Sequence, residues 1–235
     1  MFTRRTKPAL RSLAAAVVLA SVVVGCGKET DSSSGGSESS ASARIDVVNK
    51  TMRETSFTAT GTTTAFVGAT QKTFWDPEKG YRMEVGGTPE TEGGSMYCKD
   101  GTSYTSTRLF AAMLAQKGQQ ITVPDHLSGR YISSDTDQDC SFYFAISSDG
   151  QFAPDKDTTI DGRKAQAIQV SSGLEGDVYL VSAESPDYLL KQEATRNGRI
   201  STTTYSGFGE KKAISMPPAD KTMTMSEFRD AVGAG

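Results

Sequence analysis

The chain has 235 residues, 36% of them hydrophobic and 23% charged, with 25 Lys and Arg against 28 Asp and Glu for a formal net charge of −3. That length supports one domain with a real core. The slight acidity excludes the basic face that nucleic acid requires and any charge surplus for adhesion to anionic lipid.

Residues 1–10 carry Arg4, Arg5 and Lys7, with Arg11 close behind and no acid. From Leu13 to Val24 the chain is almost wholly apolar. A positive start followed by a short apolar run is a secretory signal. The run is about a dozen residues, and a spanning helix needs roughly 20. An uncleaved transmembrane anchor is therefore the disfavoured alternative. Residues 1–25 are read as signal peptide, and Arg4-Arg5 lacks the apolar continuation that twin-arginine export would show.

Val23-Val24-Gly25-Cys26 closes the run. Small residues before a cysteine at this place resemble the bacterial lipobox. The resemblance implies a diacylglycerol on Cys26 and cleavage that leaves Cys26 as the first residue. Each buried CH₂ contributes ~0.8 kcal/mol, and two acyl chains hold stably. The expected location is the outer, extracytoplasmic face of the cell membrane, with the membrane as partner through Cys26. Loss of Arg4, Arg5, Lys7 and Arg11 leaves 21 Lys and Arg against 28 Asp and Glu, a net charge of about −7. With Cys26 lipidated, Cys98 and Cys140 remain. In an exported chain they most simply pair as a disulfide, two free thiols being the alternative. Closing that loop would stabilise by ~4 kcal/mol through the unfolded chain.

Residues 26–43 form the lipidated cysteine and a Ser/Gly-rich tether that cannot bury enough surface to order itself; such a length reaches roughly 20–25 Å. A single domain is expected over 44–235. Its first element is an amphipathic helix over 42–54, with Ile45, Val48 and Met52 on one face and Ser40 or Ser42 as cap. Then the period changes to strands: Thr-rich 56–66, then 71–75 before Asp76-Pro77, then 81–85 with alternating Tyr81, Met83 and Val85. Residues 96–99 and 102–105 form a hairpin about Asp100-Gly101. A second helix covers 107–117, with Leu109, Phe110, Met113 and Leu114 on one face and Gly118 as its stop. Residues 123–134 show no clear period. Cys140 to Ile146 is an apolar run, strand or short helix, and is taken as helix. Strands follow at 163–170 and 177–182, then a hairpin of 188–196 and 199–205 about Asn197-Gly198. A last strand is expected over 211–216, ended by Pro217-Pro218, and a helix over 225–232. The sum is α+β, with a strongly curved antiparallel sheet and helices on its concave face. Such a concavity is a common place for a ligand.

The order of these elements is similar to the LppX/LprAFG group of actinobacterial cell-envelope lipoproteins, over roughly 41–218. The pieces that carry the resemblance are "SFTATGTTT" from Ser56, the Asp161-Gly162-Arg163 turn, and the ending from Tyr205 to Pro218. It implies the incomplete, LolA-like half-barrel of eleven strands, with helices plugging its concave face and a cavity for acyl chains or lipoglycans. The group has no catalytic residues to transfer, and Cys26 is the position that carries over. Strands rich in Thr, Gln and Ala limit how large such a cavity can be. On the inner faces the candidate lining residues are Phe57, Phe74, Tyr81, Met83 and Tyr97, with Leu109, Phe110 and Met113 from the second helix. The plainer reading is that these are simply core.

No enzyme chemistry stands out. Asp135-x-Asp137-x-Asp139 opens like a calcium loop, but the sixth position is Cys140 instead of Gly and the twelfth is Ile146 instead of an acid. Asp155, Asp157 and Asp161 suit turns. His126 is the single His, and no nucleophile elbow accompanies it. Metal, cofactor and catalytic residues are all expected to be absent, and the protein is expected to be a monomer. The expected function is carriage of a lipid or lipoglycan. The alternative is a structural or interaction module of the envelope whose core is filled by its own side chains.

Overall fold

Ser40 caps the first described helix by accepting a hydrogen bond from the Ala43 backbone N–H at 3.2 Å, which satisfies one of the orphan donors of a helix start. Helix α1 (Ala41–Glu54) therefore begins slightly earlier than its period suggests. The computed structural model describes residues 40–88, 92–173 and 175–233; the signal, Cys26 and the tether up to residue 39 lie outside them. Along α1 the residues at 45, 48 and 52 are fully buried. The Trp75 indole N–H donates to the Arg53 carbonyl at 3.1 Å, taking up a terminal acceptor of the helix.

Strands β1 (Phe57–Thr62), β2 (Thr70–Asp76), β3 (Gly80–Val85), β4 (Gly94–Lys99) and β5 (Thr102–Ser106) meander antiparallel, one beside the next. Helix α2 (Thr107–Gln116) follows directly, and β6 (Tyr131–Asp135) returns to pair with β5. The C-terminal half contributes β7 (Gln151–Phe152), β8 (Thr158–Ile160), β9 (Arg163–Ser172), β10 (Glu175–Ser182), β11 (Leu189–Arg196), β12 (Arg199–Ser206), the short β13 (Thr222–Thr224) and helix α3 (Met225–Ala231). Together they make one open, curved sheet with the path β13-β6-β5-β4-β3-β2-β1-β12-β11-β10-β9-β7, and β8 also on β9. The seam between the two meanders is β1 against β12. It needs Gly61, where an added Cβ would lie 1.9 Å from the Thr202 carbonyl oxygen.

Among the described residues thirteen strands stand where the resemblance implies eleven. The short β7 and β8, which the sequence pattern does not reveal, cap the outer edge of β9, as edges are commonly blunted. Within 123–134, β6 begins at Tyr131. The Cys140–Tyr143 stretch is one 3₁₀ turn. The strand expected over 211–216 does not form. Its alternation is real, since Lys212 and Ile214 are buried, but side chains satisfy its backbone in place of a neighbouring strand. The Lys212 N–H donates to Asp76 Oδ2, and the Lys212 carbonyl accepts from Lys79 Nζ. The strand over 56–66 likewise stops at Thr62, after which Phe66 turns into the core.

The turn chemistry is as the sequence demands. Asp100-Gly101, Asp161-Gly162 and Asn197-Gly198 all have positive φ, the backbone of tight hairpins. Cys98 and Cys140 are joined in a disulfide, with both side chains buried.

Candidate functional site

Strand alternation decides which residues face the helices. On β1 to β4, Phe57, Trp75, Tyr81 and Cys98 stand in one cross-strand row. Ala59, Thr73, Met83 and Met96 form the next row on the same face. Ile45, Val48 and Met52 of α1 pack onto the first row, joined by Ile168, Tyr179, Val181, Leu189 and Tyr205 from the other half of the sheet. This is the concave floor. Burying each of its large side chains contributes about 1.5–3 kcal/mol.

The floor is aromatic and uncharged. Phe57 meets Phe144 edge-on at 5.0 Å and Tyr205 at 5.4 Å. Trp75 also touches Phe144, with ring centroids 5.0 Å apart. Burial pushes the hydroxyls of Tyr81, Tyr179 and Tyr205 well above the ordinary tyrosine range, so they stay neutral. Beyond this floor the same face turns polar. Tyr179, Gln192, Thr203, Gly61 and Gln71 lie in one row across β10, β11, β12, β1 and β2. Tyr205 donates to Gln192 Oε1, Gln192 to Asp177, and Gln71 to Thr203 Oγ1. Arg196 pairs with Asp177 at 2.6 Å.

Of the lining candidates, Phe57, Tyr81 and Met83 lie on or against this floor. Phe74 and Tyr97 do not. Their neighbours Trp75 and Cys98 take the inner positions, and the period of two turns Phe74 and Tyr97 to the opposite face. There Lys72 and Arg82 lie over the Phe74 ring, Arg82 lies over Tyr97 as well, and Tyr97 meets Tyr131 edge-on. Leu109 and Met113 of α2 join a second cluster with Phe66 and Val85. Phe110 belongs to a third, with Ile132, Met223 and Phe228, and packs edge-on against Phe228. So α2 covers the far end of the sheet and meets the floor at Met83 and Met96, which pack against both clusters.

The residues that the lining candidates miss are Trp75, Tyr205, Phe144 and Ile146. Trp75 and Tyr205 carry the strand signal of alternation, one residue out of phase with Phe74 in the first case. Phe144 and Ile146 belong to the apolar run after Cys140, whose period is too short to reveal its partner.

Two of the polar residues weighed from sequence, Asp139 and Asp157, have structural partners. Asp139 accepts from the Ser141 N–H at 2.7 Å, and the Ser141 hydrogen bonds hold its carboxyl below the usual range. Asp157 accepts from the Ala167 N–H and ties its turn to β9. His126 is exposed on a 3₁₀ turn. Among the described residues no group of three or more His, Cys, Asp or Glu could hold a metal, and no helix is long and apolar enough to cross a membrane.

Open clefts line the rims. One of about 600 Å³ lies between Arg44 of α1 and Lys164 of β9. One of about 440 Å³ runs beside α2, and one of about 260 Å³ reaches Trp75 and Cys140.

The fold is thus an open antiparallel half-barrel with a helix laid on an aromatic floor. An uncharacterized conserved protein from Thermus thermophilus shares it, with a TM-score of 0.50 at 11% identity over 78% of this chain and 98% of that one. LprF from Mycobacterium bovis is similar at 12% identity and a TM-score of 0.41, covering 76% of this chain and 97% of its own. The Mycobacterium tuberculosis lipoprotein LppX is similar at 8% identity and a TM-score of 0.43, covering 74% and 97%. The likeness to the Thermus thermophilus protein is one of fold. No family model and no curated protein matches the sequence.

Proposed function

We propose that this chain is a lipid-anchored, extracytoplasmic module that carries the apolar part of an amphiphile, a lipid or lipoglycan, between its curved sheet and α1. The observation that carries this reading is the floor itself. It is a neutral, aromatic concave surface around Phe57, Trp75, Tyr81 and Tyr205, closed by one helix and a short irregular segment, with no second sheet over it among the described residues. Such a surface suits an acyl chain and offers no acid–base pair for catalysis. Cys26 supplies the membrane anchor, residues up to 43 the tether, and 44–235 one non-catalytic, monomeric domain.

A second reading is favoured by one observation: Phe144 and Ile146 are 6% and 3% exposed and already fill the space over the floor. On that reading the domain is an interaction module with a closed core. Native mass spectrometry of protein purified from its own host decides between them. The carrier reading expects a bound lipid mass and a fluorescent fatty acid that lipid displaces. Protein that is free of lipid and binds no fatty acid leaves the closed module.

A further inference from the structure

The segment between β6 and β7 is unlike the rest of the wall around the floor. From Cys140 to Gly150 it makes no strand pairing among the described residues. Its backbone bonds are largely its own: Phe142 N–H to the Asp139 carbonyl, and Phe144 and Ala145 N–H to the Ser141 carbonyl. Yet its side chains occupy the middle of the concavity. Tyr143 stacks on Tyr81 at 4.7 Å, and Phe144 sits against both Phe57 and Trp75.

Two devices hold it across elements. At its start, the Cys140 disulfide fixes it covalently to β4. At its far end, Asn49 of α1 imitates a strand partner. The Asn49 side-chain amide donates to the Ile146 carbonyl at 2.8 Å, and its Oδ1 accepts from the Ile146 N–H at 2.8 Å. One attachment is permanent and the other is a pair of hydrogen bonds that water can replace. Between them Phe142 is 40% exposed, and the cleft of about 260 Å³ runs from solvent to Cys140 and Trp75.

Resting on the carrier reading, we infer that residues 140–146 are a lid that occupies a cryptic acyl-chain site, hinged at Cys140 and latched by Asn49. When the latch opens, Phe144 and Ile146 leave the floor and an acyl chain takes their contacts with Phe57 and Trp75. The disulfide keeps the lid beside the site, so it closes again when the chain leaves. The segments that move for ligands are those with few ladder hydrogen bonds, and this part of the wall has none. A latch also sets affinity, because a ligand that needs the open state binds more weakly by the fraction of time that state is populated.

The experiment uses the full mature chain, a fluorescent C₁₆ fatty acid and hydrogen exchange. In wild type, binding of the fatty acid raises exchange at residues 142–146 while α1 and β1 to β3 stay protected. Asn49→Ala opens the latch and tightens binding by about tenfold. Phe144→Ala vacates the site with the latch intact and also tightens binding, which covers the case of an Asn49 variant that folds poorly. Binding that leaves exchange at 142–146 unchanged or lower, with neither variant tighter, overturns the lid and leaves the carrier reading standing. Faster exchange at 142–146 in Asn49→Ala, with no fatty acid bound by wild type or by either variant, overturns the carrier reading and the cryptic site with it.

Discussion

At the scale of single residues, the seam between β1 and β12 is the most exacting place in the molecule. It joins the two meanders, and Gly61 sits on it opposite Thr203. A Cβ there would meet backbone, the Thr202 carbonyl at 1.9 Å and the Thr203 Cα at 2.8 Å. Backbone has no rotamer with which to yield, so the strands would have to part. Gly61→Ala is expected to lower unfolding stability by at least about 2 kcal/mol. Chemical denaturation measures this, with Gly162→Ala as a comparison, because nothing crowds a Cβ at that turn and only its positive φ is strained. Equal losses at the two sites would mean that the seam is not sterically closed. The same scale explains the neutral floor. Tyrosines buried there cannot ionise, because desolvation disfavours the phenolate.

At the scale of elements, the short turn at Cys140–Tyr143 depends on a carboxylate. Asp139 accepts from the Ser141 N–H, and its ionised form is favoured in the folded state. A depressed carboxyl stabilises fully above its unfolded value, about pH 4, and that contribution is lost as the pH falls through the folded value. Wild type is therefore expected to be more stable than Asp139→Asn above about pH 4, with the difference vanishing in more acid solution. A difference that stays constant with pH in thermal melts would remove Asp139 from this role. Much of the element structure is legible in the sequence, because hairpins announce themselves through Asp-Gly and Asn-Gly and α1 through its 3.6-residue spacing. What was illegible has specific causes. Residues 211–216 alternate like a strand, yet Asp76 and Lys79 supply their hydrogen bonds. Strands of two or three residues, such as β7 and β8, carry too short a pattern to read. Phe74 and Trp75 are adjacent aromatics, and alternation alone cannot say which one faces inward. The site was half legible for the same reason: Phe57, Tyr81 and Met83 follow from period, whereas Phe144 reaches the floor only through the crossing of β6 to β7.

At the scale of the whole molecule, the proposed function makes the position of the domain depend on chemistry at one atom, the Cys26 thiol. The described residues begin at Ser40, and α1 follows at once on the floor of the half-barrel. A tether of that length reaches roughly 20–25 Å, so a lipidated Cys26 would hold the concavity close to a bilayer, where amphiphiles are the abundant apolar cargo. Cleavage before Cys26 would leave a net charge of about −7, with 21 Lys and Arg against 28 Asp and Glu, and so no electrostatic hold on anionic lipid. On the proposed function, anchoring would then come from the acyl chains. Two chains bind stably and one only marginally, so loss of the modified cysteine should be all or none. Cys26→Ser is expected to move the protein from the detergent phase to the aqueous phase, or to leave an uncleaved precursor of higher mass. The disulfide gives an internal control in the same sample. Alkylation without reductant should label neither Cys98 nor Cys140, so any thiol labelling of the Cys26→Ser variant marks misfolding and not a change of anchor. A variant that still partitions wholly into detergent, with its mature mass unchanged, would assign membrane attachment to the domain and not to Cys26.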